Sequence, residues 1–349
     1  MSRTCPPAAS IRSLLHLGAA PILSGTGWTL AGQDGGQSID LKDSTLFVFS
    51  DTLLAKTAAL ASNPASRTFS RSNSRFLANC AGIAREPSLR DALSKLEFFS
   101  DADGWPREIV QRDLEERLTG HRFWPEHGVL IGNMVYLFYV GVQQVRPRST
   151  WGFEIAGSGL AALDPTTGQC ERVRIGGDWR LWRATDARVH WGVQTLAHGE
   201  HIYVFGTRRE GPFRMAVLAR VPADRIADSS AYEYLSSDAP SWSGNPEDAF
   251  DLVSCSSEYS VSYNPYLRRY LMIYADGYEK ILYLRTAEEV WGPYSESLRL
   301  GKLPYREDAE IVSQAFEHPK FAKGGGQTVI VSYCQPHFTQ NSLVSITFD

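Results

Sequence analysis

GQDGGQSIDLKDSTLFVFSDT, residues 32–52, is the stretch whose reading decides the fold. Ser38 to Leu41 and Leu46 to Phe49 are short runs of β-formers separated by Lys42, Asp43 and Ser44, the pattern of a hairpin. A hairpin sets the start of its first strand beside the end of its second. With Asp34 preceding one strand and Asp51 following the other, both carboxylates are expected at the same end of the sheet. The alternative is that each aspartate is turn punctuation, Asp-Gly and Asp-Thr being common at strand ends.

The second half of this hairpin recurs along the chain. LFVF from Leu46 returns as VYLFYV from Val135, IYVF from Ile202, YLMIY from Tyr270 and TVIVSY from Thr328. Each copy is followed by another strand: FLANCAGIA from Phe76, GLAALD from Gly159, AVLARV from Ala216, ILYLRT from Ile281 and SLVSITF from Ser342. Each is also preceded by one: SIDL, HGVLIG from His127, WGVQTLAHG from Trp191, EYSVSYNPY from Glu258, and a less regular stretch around Phe316 to Lys323. Outer strands are expected at Glu171 to Ile175 and Tyr232 to Ser236.

Five antiparallel units of three to four strands predict an all-β fold, a five-bladed β-propeller. The fifth unit ends on its third strand at Asp349, and an open edge there is an aggregation hazard. A strand between about Ser10 and Trp28 is therefore expected to complete the last blade and close the ring. No linker divides residues 1–349, so a single propeller domain is expected. Helix-forming residues between Arg85 and Gly120 predict a small, partly helical insertion in the first blade.

Composition excludes some partners. The 349 residues are 43% hydrophobic with a formal charge of -4, which offers neither the basic footprint of a nucleic-acid binder nor a polybasic membrane anchor. No stretch approaches the ~20 apolar residues needed to cross a bilayer. Cys5, Cys80, Cys170, Cys255 and Cys334 are odd in number, widely spaced and free of a CxxC pair, so buried free thiols are expected. Together with an N-terminal apolar run broken by His16 and Pro21, this favours a cytoplasmic protein and leaves secretion open.

In a propeller the inner strands line a central channel, and their starts converge on one face with the ends of the second strands. That rule gathers Asp34, Trp124 and Glu126, His190 and Trp191, Glu258, and His318 from the starts. Asp51, Trp151, Arg208, Asp276 and His337 join from the second-strand ends. Hydrolysis of a glycosidic bond needs one carboxylic acid to protonate the leaving oxygen and a second carboxylate as base or nucleophile. Asp34 is the candidate base or nucleophile. Glu258, beside Cys255, Tyr259 and Val261, is the candidate acid, and Asp51 would orient substrate or hold the acid's pKa. Trp124, Glu126, Trp151, Trp191, Arg208, Asp276, His318 and His337 are candidate sugar-binding residues. Trp151 and Trp191 fit an interblade core equally well, and Glu258 a strand edge. His190, His198 and His201 have metal-like spacing, but His198 falls in a turn.

The ordered series GQDGGQSIDLKDSTLFVFSDT, FWPEHGV, HWGVQTL, IYVFGTRREG, VLARVPADRI, SEYSVSYNPYLRRYLMIY, VWGPYSE and HPKF with VIVSY resembles the bacterial glycosidase-like five-bladed propellers. It is most like a group described as a domain of unknown function that includes endo-D-arabinanases, and more distantly like arabinanase and β-xylosidase propellers. The likeness runs from about Trp28 to the C-terminus. It implies Asp34, Asp51 and Glu258 as an acidic triad acting on an arabinofuranose- or other pentose-containing glycan, with no redox cofactor required. A structural calcium or other hard ion in the central channel is compatible with this fold, although the sequence has no dedicated loop for it. The alternative is a non-catalytic carbohydrate-binding propeller.

Overall fold

The computed structural model describes residues 8–57, 72–144, 152–185, 188–210, 213–305, 310–335 and 341–349. Five antiparallel sheets follow one another in the chain as the blades of a five-bladed propeller. Inner strands are Trp28–Asp40, His121–Ile131, Val189–His198, Tyr259–Asn264 and Ser313–Glu317 for blades 1 to 5. Their hairpin partners are Thr45–Lys56, Met134–Gln144, His201–Glu210, Arg269–Asp276 and Thr328–Cys334. These second strands lie between two neighbouring blades and are covered on both faces. That is why the sequence repeats a continuous apolar run there and not an alternating one.

Five hydrophobic clusters fill the five junctions between blades. Between blades 1 and 2, for example, Ile39, Leu46 and Val48 meet Phe123, Leu137 and Tyr139. Ile11–Ala19 supplies the outer strand of blade 5, pairing antiparallel with Ser342–Phe348 from Ile11↔Phe348 to Ala19↔Ser342. The edge expected to be exposed at the end of the chain is thus covered by the beginning of the chain, and the ring closes as the edge argument requires.

The insertion carries two short helices, Leu89–Ser94 and Leu114–Leu118. Asp113 and Glu116 form a capping box at the second, and Glu116 also takes a two-pronged ion pair from Arg172 of blade 2 at 2.7 and 2.9 Å. Buried Asn79 ties the insertion to the ring. Its Nδ2 donates to the carbonyls of Val110 and Phe123, while its Oδ1 accepts from the amides of Ile109 and Val110.

Two sequence expectations are corrected here. Asp34 and Asp51 do not sit outside their strands; Trp28–Asp40 and Thr45–Lys56 run on past them, and the pairing slips between Leu30 and Gln37. The slip is a bulge made possible by Gly35 and Gly36, with φ of 85° and 107°. A Cβ on Gly35 would stand 2.9 Å from the Ser50 amide nitrogen, and one on Gly36 would overlap Asn341 Nδ2. The inner strand of blade 5 lies at Ser313–Glu317, earlier than expected. Pro319 then ends it in a 3₁₀ turn, Pro319–Phe321, followed by a second at Gly324–Gly326.

Candidate active site

Each blade brings one polar side chain toward the others: Asp34 and Glu126 from the middle of their inner strands, His190 and Gln314 from the second position of theirs, and Glu258 from just before its own. The bulge in blade 1 turns Asp34 inward, where it keeps some contact with solvent although protein surrounds it. In blade 3, Val253–Ser254 pairs with Met215 and Ala216, and the Thr207 hydroxyl holds the Ser257 carbonyl at 3.0 Å. The loop so anchored carries Glu258 to the ring.

Asp34, Glu126 and Glu258 are close enough to feel one another's charge. Burial raises the Asp34 carboxyl above its ordinary value; the Cys334 thiol and the Gly35 amide lower it, and the Glu126 charge raises it further. Burial, then the charges of Glu126 and Asp34, push Glu258 well above the ordinary range, opposed by a 3.0 Å hydrogen bond from Gln314 Nε2. A carboxyl so placed holds its proton more tightly than a solvated one. It sits beside a second carboxylate, also raised by burial but eased by the Cys334 thiol and the Gly35 amide.

Glu126 is only 3% exposed, and its Oε1 lies 2.9 Å from His190 Nε2, a pairing distance without hydrogen-bond alignment. Asp51 has both oxygens occupied: Arg122 Nη1 lies 3.1 Å from Oδ2, and Trp124 Nε1 donates to Oδ1 at 2.9 Å. Burial nevertheless raises Asp51 to about 6, with Arg122 and Trp124 pulling down and Asp34 pushing up. Phe153 meets Trp124 edge-on at 4.7 Å, and the Arg122 guanidinium lies 4.8 Å over the Phe76 ring. The carboxylates are thus flanked by a partly exposed aromatic shelf on blades 1 and 2.

The expected site residues separate accordingly. Asp34, Asp51, Trp124, Glu126 and Glu258 come together. Trp191 is fully buried between blades 2 and 3 against Trp182 and Tyr234, so its core reading is the right one. Arg208 is engaged by Asp251 and the Ala249 carbonyl, both at 2.7 Å. Asp276 caps its own turn, accepting from the amides of Tyr278 and Glu279. His318 follows the blade 5 inner strand where a start was expected, and its two ring nitrogens meet the hydroxyls of Ser38 and Ser332 at 2.8 and 2.9 Å. The blade 5 position at the site belongs to Gln314 instead. Trp151 and His337 lie outside the described residues. His198 pairs with the Tyr270 hydroxyl in its turn, at the opposite end of the strand from His190.

Sequence reasoning missed Gln314, Arg122 and Cys334. The signal for Gln314 was its place before the fifth repeat of the apolar strand, had the inner strand been set at SQAFE.

Deeper along the inner strands lie Gln37, His127, Thr195 and His318, where a channel ion would be sought. Burial lowers His127 to about 4 and His318 to about 3, so both are neutral donors or acceptors to hydroxyls. Gln37 Oε1 is the single unpartnered oxygen of this group among the described residues. A hard cation takes six to eight oxygens, and among the described residues no three His, Cys, Asp or Glu side chains gather to hold a metal. These residues do not fit a hard cation bound by the chain's own side chains.

Several solved structures share the fold. A hydrolase candidate from Bacteroides ovatus is 16% identical with a TM-score of 0.63, covering 90% of this chain and 85% of its own. The catalytic domain of the Coprinopsis cinerea GH62 α-L-arabinofuranosidase is 10% identical with a TM-score of 0.50, covering 98% of each chain. The GH43_1 enzyme from Xanthomonas citri, complexed with xylotriose, is 12% identical with a TM-score of 0.51, covering 95% of this chain and 90% of its own. At these identities the likeness is one of fold. No curated protein matches the sequence. Residues 24–344 match the family described as Domain of unknown function (DUF5005), and the chain belongs to that family.

Proposed function

We propose that this protein is a glycoside hydrolase in which Glu258 is the general acid and Asp34 the base or nucleophile. The observation that carries the reading is the meeting of Asp34, Glu126 and Glu258, where burial and the two acidic neighbours push the Glu258 carboxyl above its ordinary value. Glu258 would pass its proton to the glycosidic oxygen as the bond to the sugar breaks. Asp34 would attack the anomeric carbon or take a proton from the attacking water. Asp51 acts through others: it fixes Arg122 and Trp124 and adds negative charge near Asp34.

The substrate class proposed is a pentose-containing glycan, arabinofuranose-containing chains foremost. The fold shared with an α-L-arabinofuranosidase and with a propeller enzyme that binds xylotriose supports this choice, as do the exposed apolar ring faces beside Asp51. The pair needs no redox cofactor to do this chemistry.

The test is glycan release from arabinan, xylan and mannan by the purified protein beside Asp34→Asn and Glu258→Gln. Cleavage by the parent, reduced at least ~100-fold in each variant, supports the assignment. Turnover indifferent to both substitutions removes these residues from the mechanism. Binding without cleavage by the parent points to a carbohydrate-binding propeller.

A further inference from the structure

Gln314 touches the surroundings of both proposed reacting groups. Its Nε2 donates to Glu258 Oε1 at 3.0 Å, and its Oε1 accepts from the amide of Gly35, the residue after Asp34, at 2.9 Å. The chemistry fixes which way the side-chain amide points. The Gly35 N–H only donates, so the atom facing it is the oxygen, and the NH₂ group is left for the carboxylate. The Cys334 thiol donates to the same Oε1 at 2.8 Å.

Blade 5 holds the other side of that peptide as well. Asn341 Nδ2 donates to the Gly35 carbonyl at 2.6 Å, and Cys334 Sγ lies 3.5 Å from it. The bulge that turns Asp34 inward is therefore clasped by three side chains of the neighbouring blade. Gln314 alone of the three reaches on to Glu258. Its backbone has φ 60°, a left-handed conformation that non-glycine residues seldom adopt, and its residue is 7% exposed. Such strain persists only where the surroundings over-determine it, and it clusters at functional sites.

Resting on the hydrolase reading, we propose that Gln314 is a positioning residue, a single neutral amide that ties Asp34 and Glu258 into one fixed relative geometry. Neutrality is the useful property. An amide bridges two carboxyl-bearing segments without adding a further charge to them, and its hydrogen-bonding pattern is the same at every pH of interest. No proton passes through it.

The experiment follows Glu258 directly, using the full chain labelled with ¹³Cδ-glutamate and the Glu258 signal identified by its loss in Glu258→Gln. Gln314→Met keeps the length and the unbranched Cβ but neither donates nor accepts as an amide does. Removing a hydrogen bond to the charged form should move the Glu258 titration upward by about one pH unit. Whichever glycan the parent cleaves should then show kcat reduced ~100-fold with KM within about threefold, because alignment and not affinity is lost. A Glu258 titration unmoved in folded Gln314→Met overturns the proposal. Should that variant fail to fold, Gln314→Asn keeps a neutral amide but is one methylene too short to span Gly35 and Glu258. An unmoved Glu258 titration there overturns the proposal equally, and an upward one supports it. Failure of the hydrolase reading looks different, since no glycan would be cleaved by any form while the titration still answers.

Discussion

Glu126 Oε1 and His190 Nε2 face each other at 2.9 Å across the junction of blades 2 and 3. The same carboxylate raises both Asp34 and Glu258 by its charge. Replacing it by Glu126→Gln removes a negative neighbour, so the Glu258 acid should titrate lower. The alkaline limb of the kcat/KM profile on the cleaved glycan is expected to move to lower pH by roughly one unit. The acidic limb, which the proposed roles assign to Asp34, should move in the same direction.

Gly35 is where the strand geometry and the proposed chemistry meet. Gly35→Ala places a methyl group against the Ser50 amide in a backbone region where φ is 85°. A destabilisation of about 2 kcal/mol or more is expected in urea unfolding, with activity reduced further than the folded fraction explains because Asp34 is displaced.

Asn79 satisfies four buried backbone groups from two segments with one side chain. Asn79→Ala leaves those groups without partners and should cost about 3 kcal/mol or more, read as a fall in the urea midpoint at unchanged m. The insertion is expected to loosen first. Hydrogen exchange at Ile109 and Val110 would report it.

Buried His318 supplies a pH-dependent term whose sign is fixed. Burial lowers folded His318 to about 3, while an unfolded histidine keeps the ordinary 6.5. Between these values the unfolded chain binds a proton that the folded chain refuses, so this contribution to stability falls as pH drops. Glu317, raised from 4.5 to about 7 by burial, works the opposite way: its contribution to stability is lost as pH rises from 4.5 to about 7. The comparison with His318→Gln isolates the histidine. Its stability advantage over the variant should shrink by about 1.4 kcal/mol for each pH unit from 6 to 4; a constant gap would show that His318 is not held neutral.

Much of this architecture was legible in local sequence. The apolar run that recurs from Leu46 to Thr328 marked the second strand of every blade, because those strands are covered on both faces. The first four inner strands followed from their position before it. The fifth did not, since SQAFE is short, bulged and followed by a proline turn, so His318 took the place that belongs to Gln314. Trp191 shows the same limit. A tryptophan beside a polar strand start reads alike whether it faces sugar or a neighbouring blade.

By itself the sequence determined the number of blades, the closure of the ring by its N-terminal strand and the end of the propeller where acidic residues collect. Those properties depend on periodicity, turn residues and edge pairing, which are short-range and repeat. Only the tertiary structure decided which side chains share the centre: that Asp51 is occupied by Arg122 and Trp124, that Glu126 shifts its neighbours, and that Gln314, Cys334 and Asn341 hold the peptide after Asp34. A one-residue slip sends a side chain to the opposite face of a strand. The bulge at Gly35 and Gly36 and the left-handed turn at Gln314 are slips of that kind, and their outcome is set by contacts between residues some 280 to 300 positions apart.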